Sequence, residues 1–115
     1  MVIVFEKDLV LKKDSVFEES VEVKGSIRGK DDLLFDLVVK GNITADDITA
    51  RYITAGNITA GNISAWDINA LDINYYAVCF AYQNIKCESI KGSRENAKHF
   101  VLDGKITTKQ EVKKK

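Results

Sequence analysis

The sequence predicts an all-β protein folded as a parallel β-helix, in which short strands coil around a narrow apolar core. Three observations carry this prediction. Isoleucine recurs every five residues across residues 43–73, a small residue follows almost every isoleucine two positions later, and proline is absent from all 115 residues. A helix turns every 3.6 residues and a strand repeats every two, so neither explains a period of five. Fixed-period self-similarity of this kind indicates a solenoid.

Each repeat is interpreted as a three-residue strand followed by a two-residue corner. Alternate residues of a strand point to the same face, so the isoleucine and the small residue both point inward while the residue between them faces solvent. The second corner residue is Asn or Asp in nearly every repeat, a choice that suits tight turns. The predicted large inward residues are Ile43, Ile48, Ile53, Ile58, Ile63, Ile68, Ile73 and Val78, and the second inward positions hold Ala45, Ala50, Ala55, Ala60, Ala65, Ala70, Tyr75 and Phe80.

The five-residue period does not directly predict how many sides each coil has. Uniform five-residue sides favour right-angled corners and therefore a four-sided coil of 20 residues, with successive coils about 4.8 Å apart. A 20-residue coil places Asp47 beside Asp67, which is mildly repulsive. A 15-residue, three-sided coil instead brings Arg51 to Trp66, where a cation–π contact is available. We predict four sides and keep three as the alternative.

The repeat resembles the pentapeptide-repeat family, whose members fold as right-handed four-sided β-helices. "GNITA" at 41–45 and 56–60 and "GNISA" at 61–65 match the middle positions of the family pattern. The family keeps a small residue two places before the large one, whereas this chain places it two places after. A looser similarity connects the same strands to bactofilin-type polymer-forming solenoids, which are usually three-sided. Together these resemblances imply a right-handed parallel β-helix.

The organisation predicted along the chain is a single domain spanning 1–115. Residues 1–15 are expected to form one or more N-terminal cap strands and 16–92 the solenoid, with regular repeats over 41–78. The remaining residues, 93–115, are expected to form a C-terminal cap followed by a basic tail.

Details within these segments refine the prediction. Val21 with Val23 and Leu37 with Val39 read as inward pairs, and 29–34 as a loop. The five-residue lattice slips after Val78, which implies a two-residue insertion in "FAYQN", and resumes at Ile85. Asp103-Gly104, lying between two apolar runs, predicts a C-terminal β-hairpin.

The charge and composition of the chain argue against some classes of function. The net charge is zero, although the chain after residue 78 carries 9 basic and 4 acidic residues. The basic tail is interpreted as solvated, so no nucleic-acid partner is expected. No apolar run of 18 residues is present, and the N-terminus does not follow the order of a signal peptide. We therefore expect a cytoplasmic protein without membrane contact.

Candidate chemical groups are few. His99 is the only histidine and is interpreted as structural. Cys87 is expected in the core and Cys79 outside it, and their spacing matches no zinc or redox motif. Corner aspartates such as Asp46 are assigned to turns rather than to calcium. The sequence thus predicts no catalytic, cofactor-binding or metal-binding residue and no enzyme.

Exposed aromatic and apolar residues predict an interaction patch. Trp66 and Leu71 occupy corners where other repeats carry glycine, and with Tyr52 and Tyr76 they form the candidate patch. Tyr75 and Phe80 are assigned to the core. Tyr82 belongs to the same aromatic stretch.

The favoured function is a non-enzymatic structural or protein-interaction solenoid that self-associates. A dimer joined end to end is expected, because unpaired strand edges invite pairing, with a contact through the corner patch at Trp66 and Leu71 as the alternative. The alternative, implied by the pentapeptide-repeat resemblance, is a DNA mimic that binds a type II topoisomerase. Mimics of that kind are strongly acidic, which this chain is not.

Overall fold

The computed structural model describes residues 2–108, except for the side chain of Asp32. These residues form a parallel β-solenoid of about six turns, with no α-helix. Each coil has three sides, which we name faces A, B and C in the order in which the chain runs through them. Coils 1 to 6 comprise residues 2–17, 20–39, 43–54, 57–69, 72–87 and 89–108.

Face A is the first side of every coil, and its neighbouring strands pair in parallel. Face B is the second side, and face C the third. In chain order the strands are β1 (Val2–Phe5), β2 (Leu9–Leu11), β3 (Ser15–Phe17), β4 (Ser20–Val23), β5 (Ile27–Gly29), β6 (Leu37–Val39), β7 (Ile43–Thr44), β8 (Asp47–Thr49), β9 (Tyr52–Thr54), β10 (Asn57–Asn69), β11 (Asp72–Cys87), β12 (Ser89–Gly92), β13 (Lys98–Val101) and β14 (Ile106–Thr108).

The two long strands, β10 and β11, each run through all three faces of one coil. The shorter strands each belong to a single face. Strands β1, β4, β7 and β12 lie on face A; β2, β5, β8 and β13 lie on face B; β3, β6, β9 and β14 lie on face C.

The predicted four-sided coil is wrong, and the alternative of three sides is correct. Ile43 pairs with Ile58, Ile48 with Ile63, and Ile53 with Ile68, so residues stacked on one another are 15 positions apart. Three five-residue sides complete a turn, which requires sharper corners than the right angles we assumed. The sequence period fixes the length of a side but not the angle between sides.

The core is the inside of this triangular tube, and the predicted inward pairs occupy it. Each isoleucine from Ile43 to Ile73 is at most 1 % exposed, and the predicted pairs Val21 with Val23 and Leu37 with Val39 are buried as well. Complete burial of one isoleucine side chain stabilises the fold by about 2–3 kcal/mol. Alanine fills the second inward position in the regular coils because the tube leaves little room there.

Coil 5 departs from the lattice earlier than the sequence suggested. One extra residue lies between Tyr75 and Val78, and a second between Ala81 and Asn84, in place of one two-residue insertion. As a result Cys79, and not Val78, stacks on Ile63 and is fully buried. The assignments of Val78 and Phe80 to the core and of Cys79 to the outside are therefore wrong.

Tyr75 explains why coil 5 is wider. It occupies a second inward position, stacked on Ala60, and is 2 % exposed, as expected for a core residue. The next residue in this column is Gly92, where an added Cβ would lie 2.8 Å from the Tyr75 ring and would also clash with the Cβ of Ala97. The longer perimeter of coil 5 itself and the glycine in the coil above accommodate the ring.

Asn and Asp at the corners join consecutive coils rather than forming left-handed turns. Asp31 is the sole residue with positive φ among those described, so the corners do not use that conformation. Instead, side-chain oxygens accept hydrogen bonds from backbone N–H groups one coil further on. The donor–acceptor pairs are Ser26 to Asp8, Asp36 to Asp14, Asn57 to Asn42, Asn84 to Asp67 and Lys105 to Asn84, at 2.9–3.1 Å.

The ends and loops differ from the predicted caps. Strand β1 pairs in parallel with β4, so it belongs to the first coil. Strands β13 and β14 both pair with β11 rather than with each other, so the predicted hairpin at 103–104 is wrong. The predicted loop at 29–34 is present as a 3₁₀ turn, Lys30–Asp32, inserted between faces B and C. The tail beyond residue 108 lies outside the described residues.

Because Ile58 points inward and Thr59 outward, substitutions at these adjacent residues should change the unfolding free energy by unequal amounts. Ile58→Asp places an unpaired charge in the core, so we expect a loss of at least about 4 kcal/mol in unfolding free energy. Thr59→Asp faces solvent and should change it by less than about 1 kcal/mol. Urea unfolding followed by circular dichroism measures both, and equal losses would contradict the fold.

The variant Gly92→Ala tests whether the glycine above Tyr75 makes room for the tyrosine ring. The added methyl group meets the tyrosine ring and Ala97, so we expect a loss of about 1–3 kcal/mol. The same measurement in a Tyr75→Ala background is the control. There the cost of Gly92→Ala should shrink, and an unchanged cost would show that the ring is not responsible.

Candidate interaction surfaces

The four residues of the predicted patch lie on three different edges of the prism. Tyr52 and Trp66 are at the edge between faces B and C, 39 and 41 % exposed. Leu71 is at the edge between faces C and A, and Tyr76 at the edge between A and B. Corners five residues apart in the chain are separated by one side of the triangle, roughly 16 Å at the rise of a strand. The structure therefore does not bring Trp66 and Leu71 together.

An aromatic edge does exist between faces B and C. Trp66 lies above Arg51 along this edge, and its ring packs against Tyr82 of the next coil with centroids 5.9 Å apart. The stacking expected for a 15-residue coil is therefore present, although the Arg51 guanidinium lies over Tyr52 instead, 5.6 Å from the ring centroid.

Arg51 also connects three coils. Its Nε donates to Asp36 at 2.9 Å, and an Nη lies 3.6 Å from Asp14. The hydrogen bond to Asp36 and the negative charge of that carboxylate raise the Arg51 pKa above its ordinary value. This side chain is thereby fixed beneath Trp66 rather than free to contact it.

Face B carries a second aromatic group that the sequence analysis missed. Its outward central column runs Thr49, Ser64, Phe80, Phe100 in coils 3 to 6. The two phenylalanine rings stack with centroids 5.0 Å apart, and Phe100 is 46 % exposed. The column passes abruptly from small residues to large ones.

A shallow cleft of about 200 Å³ lies where this column meets the aromatic edge. Thr49 and Ser64 contribute to its lining, and Trp66, Phe80 and Tyr82 flank it. The signal for Phe80 was hidden because the extra residue after Tyr75 reverses which residues point inward. Phe100 could have been found only by recognising "HFV" as a side of a coil.

The N-terminal end of the solenoid is a third candidate surface. Strands β1, β2 and β3 each pair on one side only among the described residues. Among their inward residues Leu11 is buried, but Phe5, Leu9 and Phe17 are only half-buried, and the rings of Phe5 and Phe17 meet edge to face at 6.0 Å. Apolar core surface and unpaired backbone groups are thus presented together.

The inward columns of the last two coils hold the polar groups with the most potential for chemistry, of which Tyr75 and Cys79 are buried and His99 is exposed. His99 stacks on Cys79 in the same inward column, and the Tyr75 hydroxyl lies 2.6 Å from His99 Nδ1. Burial, together with the neighbouring Cys87, raises the pKa of Cys79 to about 12. Burial also raises the Tyr75 pKa. Cys79 is therefore a protonated core thiol at neutral pH, which makes it a poor nucleophile.

Within residues 2–108, no three His, Cys, Asp or Glu side chains are grouped so that they could hold a metal ion. No helix of that part of the chain has the length and apolarity needed to span a membrane.

Comparison of the chain with protein-family models, with curated proteins and with solved structures finds no match.

Because the Cys79 thiol is buried, the unfolding free energy should fall at alkaline pH. The pKa of Cys79 is about 9 unfolded and about 12 folded, so its contribution to stability is present below pH 9 and lost as the pH rises to 12. The unfolding free energy should fall by about 2–4 kcal/mol more in the wild type than in Cys79→Ala over that range. Urea unfolding at pH 8 and pH 11 measures the difference, and parallel losses in the two proteins would contradict it.

Proposed function

We propose that this chain is a non-enzymatic structural solenoid that self-associates end to end. The observation that carries the proposal is the first coil, whose three strands pair on one side only among the described residues and whose inward Phe5, Leu9 and Phe17 are incompletely covered. An internal coil covers its neighbour with parallel strands and stacked inward side chains. The N-terminal end presents one half of that same arrangement.

The inward columns show which apolar side chains a second copy would cover at the N-terminal end. Phe5 stacks on Val23 and Leu9 on Ile27, both of which are at most 3 % exposed, whereas Phe5 and Leu9 themselves are half-buried. Covering them would remove further apolar surface from water, at about 25 cal/mol per Å². Edge strands also offer N–H and C=O groups that a second chain can pair with.

Contact between two N-terminal ends is self-complementary. A two-fold axis perpendicular to the solenoid places the same strands on both sides of the contact, as a closed dimer requires. The strands would then meet in antiparallel orientation and extend the sheet from one copy into the next. The three-sided coil supports the resemblance to bactofilin-type polymer-forming solenoids over the resemblance to four-sided pentapeptide-repeat proteins.

The non-enzymatic part of the proposal is supported by the state of the inward polar groups, the buried Cys79 and the exposed His99. Cys79 and His99 are stacked, but the thiol is fully buried and protonated at neutral pH. His99 is engaged by the Tyr75 hydroxyl. The same proposal keeps the cytoplasmic location expected from the sequence.

Val16→Pro tests the end contact. The Ser15 N–H bonds to Asp36 within the solenoid, so by alternation the Val16 N–H points to the open edge. Proline removes that edge donor, and its ring disfavours an incoming strand. We expect the wild type to sediment as a homo-oligomer at tens of micromolar, and Val16→Pro to halve its mass.

Val16→Thr is the matched control, since it retains the N–H and a β-branched side chain. It should sediment like the wild type. A monomeric wild type would refute self-association, and an unchanged mass for Val16→Pro with a normal melting temperature would refute the N-terminal contact.

A further inference from the structure

We infer that face B is a second self-association surface, where two copies pack face to face and antiparallel about a two-fold axis at the boundary of coils 4 and 5. The inference extends the proposed function by naming a surface separate from the coil ends. It depends on three parallel columns of side chains on face B, each of which is complementary to itself when the order of coils is reversed.

The central column is complementary in size. Rotation about the two-fold axis at the boundary of coils 4 and 5 places coil 3 of one copy opposite coil 6 of the other, and coil 4 opposite coil 5. Phe100 of one copy then faces Thr49 of the other, and Phe80 faces Ser64. The large residues of each copy would fill the cleft above the small residues of its partner copy. Interdigitation of large with small side chains gives interfaces the packing density of a core.

The column along the edge with face A is complementary in charge at its two ends. It runs Asp47, Asn62, Val78, Lys98 in coils 3 to 6. The same reversal places Lys98 of one copy opposite Asp47 of the other, twice in the dimer. Both side chains are exposed in the single chain, and Asp47 accepts a hydrogen bond from the Asn62 amide at 3.0 Å. The alternative two-fold, parallel to the solenoid, sets this column against the aromatic edge and forms no such pair.

The edge between faces B and C is complementary in aromatic character. Trp66 in coil 4 exchanges with Tyr82 in coil 5, so two Trp66–Tyr82 pairs would meet beside the two-fold axis. Aromatic residues near the centre of an interface typically contribute most of its binding energy. Leu102, 67 % exposed at this edge in coil 6, would reach the Arg51 level of the partner copy, beside Leu34 of the cleft.

The exposed area agrees with a dimer contact. Val78, Trp66, Tyr82, Phe100 and Leu102 are between 37 and 67 % exposed. Together they leave on the order of 400 Å² of apolar surface per copy, taking 150–250 Å² for a whole large side chain. Two copies with their polar rims reach the roughly 1,000 Å² that a specific interface needs. An apolar patch of this size matches the largest patch of a typical protein, which is often a functional surface.

The experiment uses the full chain carrying Val16→Pro, so that the end contact is absent. Sedimentation equilibrium should show a dimer at tens of micromolar. Adding Phe100→Asp should raise its dissociation constant at least tenfold, since a charge replaces the side chain that fills the cleft. Adding Leu71→Asp is the matched control, because Leu71 is an equally exposed apolar residue on another edge, and it should leave the constant within twofold.

A charge exchange tests the relative orientation of the copies. Lys98→Asp sets like charges opposite Asp47 at both symmetric positions, and should raise the dissociation constant about tenfold. Combining it with Asp47→Lys restores opposite charges and should recover most of the affinity. Recovery in the double variant supports the antiparallel arrangement, and two additive losses overturn it.

The outcomes separate this inference from the proposed function. If Val16→Pro converts an oligomeric wild type into a monomer, the end contact stands and the face-to-face contact is wrong. If Val16→Pro halves the mass of a larger wild-type oligomer to a dimer, and Phe100→Asp dissociates that dimer, both contacts stand. If the wild type is already a dimer whose mass Val16→Pro leaves unchanged, and Phe100→Asp dissociates it, the face-to-face contact stands and the end contact is wrong. If Phe100→Asp alters the circular dichroism spectrum, its dissociation constant does not report on the contact. The charge exchange between Asp47 and Lys98 then tests the face-to-face contact by itself.

Discussion

Stacking of identical positions along straight columns is the constraint on which the rest of this structure depends. An inward side chain at one level must lie on the inward side chain of the level below, because the tube holds only one pair of side chains per side. Ile43, Ile58 and Ile73 meet this requirement with a constant separation of 15 residues. Sides, corners and surface columns follow from it, since a chain fixed at these points has little freedom elsewhere.

The corner side chains extend the same constraint to the backbone. Asn42 accepts the N–H of Asn57, and Asp67 accepts that of Asn84, so a residue at one corner satisfies a donor at the equivalent corner above. The recurrence of Asn and Asp at this position therefore reflects contact between coils, in addition to any preference for turning.

Sequence could predict the repeat, its inward residues and the parallel solenoid because these depend on a local period. It could not predict the angle between sides, because a five-residue side fits a triangle or a square equally well. The reversal at Cys79 was missed because one extra residue exchanges inside for outside, and nothing near Tyr76 in the sequence marks it. The residues of the predicted patch are not brought together, because successive corners are one whole side apart whatever the angle between sides.

Face B was harder to anticipate because its residues are distant in the chain. Thr49 and Phe100 belong to one column only because coil 6 contains an insertion after Gly92. Irregular coils such as these cannot be aligned by period alone. Their register is instead set by which side chains fit the core, as Tyr75 over Ala60 and beneath Gly92 shows.

The fixed separation between stacked residues also determines how this chain can fold. Each coil pairs with the next at a distance of 15 to 22 residues, so none of these pairings closes through a short turn. The first pairing carries the entropy of closing such a loop, and each later coil adds to an edge that already exists. The two coils at 43–69 have the shortest closure and the most regular register. Folding is therefore expected to nucleate there and to propagate outward, which makes the terminal coils the last to form and the first to open.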